Sequence, residues 1–106
     1  MDRKFLKKNG NLLGEVDFGD NGIYDGTNYF YWYNDCLYIS TYHSNLNSYT
    51  GKSETKCVGT KEKLSKELQT SYYLDIPAFM TACSEEVVKK VCEKCGVKYD
   101  EDNYFG

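Results

Sequence analysis

Proline, arginine and histidine are almost missing from this 106-residue chain: Pro77, Arg3 and His43 are the only example of each. With a single histidine and no Gly-x-Ser-x-Gly turn, hydrolysis of the serine type has little to work with. Long apolar runs are lacking too, so no segment reads as a transmembrane helix. Nor does an apolar stretch follow Asp2, Arg3 and Lys4, as a secretory signal would require. Residues 9–50 hold no Lys or Arg at all, while they hold Glu15, Asp17, Asp20, Asp25 and Asp35. That gap, with a net charge of -3, argues against general nucleic-acid binding, which draws its affinity from cations on phosphate. The glycines at 19, 22 and 26 match neither a phosphate loop nor a dinucleotide fingerprint. Asp17, Asp20 and Asp25 lack the ordered spacing of a calcium loop, and hairpin turns account for them better.

What is present suits one globular domain over 1–106, with 41% hydrophobic and 27% charged residues. A chain of this size buries roughly two-thirds of its unfolded surface, enough for a core that needs neither disulfide nor metal. The five cysteines are an odd number, and with no export signal they are expected as thiols in a reducing cytoplasm. No cofactor is expected. Lys supplies all the basic residues but Arg3, and Asn and Tyr are abundant, a bias that fits an AT-rich genome such as that of a low-GC bacterium or its phage.

The pattern predicts an α+β fold: an N-terminal antiparallel sheet of about four to five strands, packed by one face on two to three C-terminal helices. Asn9-Gly10 reads as a hairpin turn closing a short first strand with Phe5 and Leu6, and Leu12 to Phe18 alternates as the next. Residues 19–22 and Asp25-Gly26 read as turns. Thr27 to Tyr33 and Cys36 to Tyr42 are two β-prone runs joined by Asn34-Asp35. A two-residue loop there pairs Tyr33 with Cys36, Trp32 with Leu37, Tyr31 with Tyr38, Phe30 with Ile39 and Tyr29 with Ser40. Alternation then puts Phe30, Trp32, Leu37 and Ile39 on a core face and Tyr29, Tyr31, Tyr33, Tyr38 and Tyr42 on the other.

Residues 44–53 read as a polar loop, and Thr55 to Val58 as a short strand. Thr60 is a candidate N-cap for a helix whose Leu64, Leu68 and Tyr72 recur every four residues. Asp75-Ile76-Pro77 looks like a helix start, and Ser84 with Glu85 and Glu86 a stronger one. Val87, Val88, Val91, Cys92 and Cys95 form the apolar stripe of that helix, Gly96 ends it, and Val97 to Tyr99 returns as an edge strand.

Cys92-Glu93-Lys94-Cys95-Gly96 resembles one knuckle of a zinc ribbon, in which glycine relieves the turn around the metal. Only half a site is present, since Cys36, His43, Cys57 and Cys83 offer no second close pair. The apolar stripe explains the same two thiols as core residues, and their place near a helix C-terminus disfavours a redox motif. A nucleophilic Cys36 or Cys57 served by His43 is the remaining enzymatic arrangement.

The tyrosine face stands out as a contact surface, because tyrosine offers a rigid ring and a hydroxyl at low entropic cost. The leading expectation is a non-enzymatic cytoplasmic module that binds a protein partner, or its own copy as a homodimer, through Tyr29, Tyr31, Tyr33, Tyr38 and Tyr42. In size and composition, though in no motif, it is similar to the small inhibitors that phages direct against bacterial defence systems, which would place it in the host cytoplasm. A zinc module or Cys/His enzyme using Cys92, Cys95 and His43 is the competing class. A single-strand nucleic-acid binder comes third, since the acids of the same segment repel phosphate.

Overall fold

In the computed structural model, residues 2–44, 53–70 and 83–99 are described. The chain runs α1 (Arg3–Asn9), β1 (Asn11–Asp20), β2 (Ile23–Tyr33), β3 (Cys36–His43), β4 (Ser53–Thr60), α2 (Lys61–Thr70) and α3 (Glu85–Cys95). The strands form a single antiparallel meander in sequence order, β1-β2-β3-β4. An α+β architecture with the sheet leading and helices α2 and α3 following is therefore what the sequence pattern specified.

Two tight turns set the registers. Asn21 and Gly22 both have positive φ, 54° and 79°, as do Asn34 and Asp35 at 52° and 56°. This is the backbone of two-residue turns whose twist matches that of the strands. The β2–β3 ladder carries the five pairs expected from the sequence, Tyr33 with Cys36 through Tyr29 with Ser40, and continues to Gly26 with His43. Asp25-Gly26 is not a turn; both residues lie inside β2, beside an irregularity between Phe18 and Gly19. The Phe18 ring packs where a side chain at Gly26 would stand, so glycine serves close packing there.

The core face carries Leu13, Phe30, Trp32, Leu37 and Ile39 against Leu64 and Leu68 of α2 and Val87, Val88, Val91, Cys92 and Cys95 of α3. Helix α2 is capped by Thr60, the last residue of β4, whose Oγ1 accepts from Lys63 N at 3.3 Å. Its first amide, Lys61 N, donates to Asp35 O at 2.8 Å and ties the helix to the β2–β3 turn. Helix α3 is capped by the Ser84 hydroxyl, which accepts from Val87 N at 3.3 Å, and ends at Gly96 with φ 70°. Val97 N then donates to Cys92 O at 2.9 Å and Gly96 N to Glu93 O at 3.3 Å, which closes the last turn as a Schellman motif. Residues 97–99 accordingly form no edge strand; Val97 and Tyr99 fold back on the core. The polar loop expected after residue 44, Tyr72, and the helix start at Asp75-Ile76-Pro77 lie outside the described residues.

The N-terminus departs most from the sequence reading. Phe5 and Leu6 belong to a helix, not a strand, because Asp2 caps it by accepting from Phe5 N at 2.9 Å. Asn9-Gly10 stops this helix instead of turning a hairpin: Asn9 Nδ2 donates to Phe5 O at 3.0 Å and Gly10 N to Leu6 O at 2.7 Å. Lys7 and Lys8 in the last turn favour the negative end of the helix dipole.

Candidate functional site

Tyr29, Tyr31 and Tyr33 on β2 and Tyr38 and Tyr42 on β3 share one face of the sheet, as alternation requires. Helix α1 lies across that face. The Arg3 guanidinium sits 4.8 Å from the centroid of the Tyr29 ring and 5.8 Å from that of Tyr42, and Phe5 meets Tyr33 edge-on at 5.2 Å. Leu6 is fully buried beneath the helix, yet outside the main core. The sheet is thus packed on both faces. An open tyrosine face, with helices confined to the opposite side, is corrected at its centre: Tyr31 is only 4% exposed. The physical cause is that the chain's own α1 supplies a cation, Arg3, and an aromatic ring, Phe5, that pack on the tyrosine rings.

Burial raises the Tyr31 phenol above its ordinary pKa; Arg3 opposes this, while Tyr29 and Glu15 add to it. Burial also raises the Tyr38 phenol, with Cys36 and Cys57 contributing. Around the buried centre the face stays partly open. Tyr29, Tyr33, Tyr38 and Tyr42 are half-buried, and Leu12 and Phe5 beside α1 are 46% and 39% exposed. Arg3, Lys7, Leu12, Glu15, Tyr29 and Tyr31 line a cleft of about 570 Å³ between α1 and the sheet.

Farther along the face, the Tyr24 hydroxyl bonds Thr27 Oγ1 at 2.6 Å, and Thr27 donates to Asp17 Oδ1 at 2.7 Å. This chain of bonds engages Asp17 in joining β1 to β2.

Cys92 and Cys95 are both buried in the core on α3. Burial, with Cys95 alongside, pushes the Cys92 thiol up to about 11, and burial also raises Cys95 against the influence of Ser65 and Lys61. Among the described residues, no three His, Cys, Asp or Glu side chains converge to hold a metal ion. His43 ends β3 on the core side, 6.1 Å from the Phe18 ring, whereas Cys36 begins the same strand on the opposite face. The structure therefore does not bring His43 to Cys36. Nor does any helix among the described residues have the length and apolarity to cross a membrane.

Sequence reasoning placed the tyrosines but missed Arg3, Phe5 and Leu6 as their cover, and missed that Cys57 stands beside Cys36. Asp2 as an N-cap, with Arg3, Leu6 and Lys7 at helical spacing, was the available signal for the first. No protein-family model matches the chain, and comparison with curated proteins and with solved structures finds no match.

Proposed function

We propose that this chain is a non-enzymatic protein-binding module whose contact surface is the tyrosine face together with the helix lying on it. One observation carries the reading: exposed Leu12 lines the cleft between α1 and the sheet together with Tyr29 and Tyr31, and exposed Phe5 meets Tyr33 edge-on on the same face. Rigid aromatic area with exposed apolar anchors is the composition of a contact patch. Charges of both signs border it, Lys4, Lys7 and Lys8 on α1 and Glu15 and Asp17 on β1, which orients a partner more than it attracts one. An inhibitory role in a phage-infected host's cytoplasm is the finer form of this reading. It rests on size and composition alone.

Combined replacement of Phe5, Leu12 and Tyr29 by Ser tests it. Partner capture from the encoding organism should fall at least about tenfold, in line with loss of two or three anchors, while the circular-dichroism spectrum stays native. Ile23→Ser with Tyr24→Ser, at the β1–β2 hairpin tip, should leave capture intact. Full binding by the triple variant overturns the proposal, and a shift from dimer to monomer would identify the partner as a second copy.

A further inference from the structure

Cys36 begins β3 and Cys57 lies on the neighbouring edge strand β4. The ladder pairs Leu37 with Gly59 and Tyr38 with Cys57, leaving Val58 as an extra residue between them. Cys57 therefore stands directly opposite Tyr38, two residues along from Cys36 and on the same face, because side chains two apart in a strand point the same way. Burial raises the Cys36 thiol above its ordinary pKa, and the neighbouring Cys57 thiol adds to the rise. Cys57 is exposed and Cys36 half-buried, whereas Cys92 and Cys95 are buried in the core.

We propose that Cys36 and Cys57 form a modification site, a dithiol that a peroxide converts reversibly into a disulfide linking β3 to the edge strand β4. Exposed Cys57 reacts first. Its thiolate sulfur attacks one oxygen of hydrogen peroxide, the O–O bond breaks, and Cys57 becomes a sulfenic acid as hydroxide leaves and is protonated to water. The Cys36 sulfur then displaces the sulfenic oxygen, an S–S bond forms, and the thiol proton leaves with that oxygen as a second water. Two thiols thus lose two electrons and two protons to one peroxide. A small dithiol reductant returns both by thiol–disulfide exchange.

Position gives the modification its consequence. Tyr33 pairs with Cys36 and Tyr38 with Cys57, so the crosslink forms within the tyrosine face and fastens β4, which among the described strands pairs with β3 alone. The inference does not depend on the binding reading, since the crosslink needs no partner.

Full-length protein treated with an equivalent of hydrogen peroxide should lose about 2 Da and yield a tryptic species joining the Cys36 and Cys57 peptides, reversed by dithiothreitol. Cys36→Ser, treated the same way, should accumulate a dimedone-reactive sulfenic acid at Cys57, its circular dichroism confirming the fold. Cys57→Ser, altered at an exposed position, should consume peroxide far more slowly. Oxidation of Cys57 to sulfinic acid in the wild type with Cys36 still free would overturn the proposal. So would a Cys57–Cys57 link between chains as the main product.

Discussion

Tyr31 and Trp32 are neighbours on β2 that point to opposite faces, and both are buried, at 4% and 9% exposure. A sheet with one solvated face would make them very unequal: removing Trp32 would open the core, and removing Tyr31 would cost little. The cover provided by α1 removes that inequality. Trp32→Ala should cost about 3 to 5 kcal/mol and Tyr31→Ala about 2 to 4 kcal/mol, measured by urea unfolding under two-state conditions. A Tyr31→Ala loss below about 0.5 kcal/mol would place its ring in solvent after all. Leu6 belongs to the same argument, because it is fully buried on α1 and yet stands outside the main core. The residue alternation that sorted Phe30, Trp32, Leu37 and Ile39 from the tyrosines was legible because a two-residue loop permits only one register. Burial on the second face was not legible, since alternation tells which side a ring takes and nothing about what lies over it.

At the scale of elements, the hairpin β2–β3 and the helix α3 are the parts most openly written in the sequence. The first combines period-two alternation with a turn that accepts positive φ; the second has Ser84 at one end, Gly96 at the other and one apolar stripe between them. Helix α1 is the counterexample. It spans 7 residues, too few for a 3.6-residue period to declare itself, and Asn-Gly is equally good chemistry for a hairpin turn and a helix stop. The packing of α3 on β1 was equally hidden, because it depends on Gly14. A Cβ at that position would stand 2.6 Å from Val87 Cγ2, so the absence of a side chain is what lets the helix approach the strand. Gly14→Ala should therefore destabilise by about 1 to 3 kcal/mol, and Val87→Ala in the same chain should recover part of that loss. Strict additivity of the two changes in a double-mutant cycle would mean that the contact does not set the packing distance.

For the whole molecule, the thiols packed on or in the core link stability to pH. Cys92 is pushed up to about 11 and Cys83 to about 12, both from 9.0, and in each case burial is the leading cause. Raised acid pKa values mean that the unfolded chain gives up these protons first. Their contribution to stability is complete below about pH 9 and declines as pH climbs toward 11 and 12, because only the unfolded thiols ionise in that window. The urea midpoint should fall across this range, and Cys92→Ala should fall less steeply than wild type; parallel slopes would show that this thiol is not responsible. The order of the sheet has a kinetic consequence of its own. Each strand pairs with its immediate successor through a meander, so neighbouring strands meet early, whereas the docking of α3 on β1 and of α1 beside β4 must wait for distant parts of the chain to meet. Folding should accordingly be rate-limited within the meander: Leu37→Ala should slow folding, whereas Val87→Ala should mainly hasten unfolding, and a chevron in which both act on the folding limb alike would contradict that order.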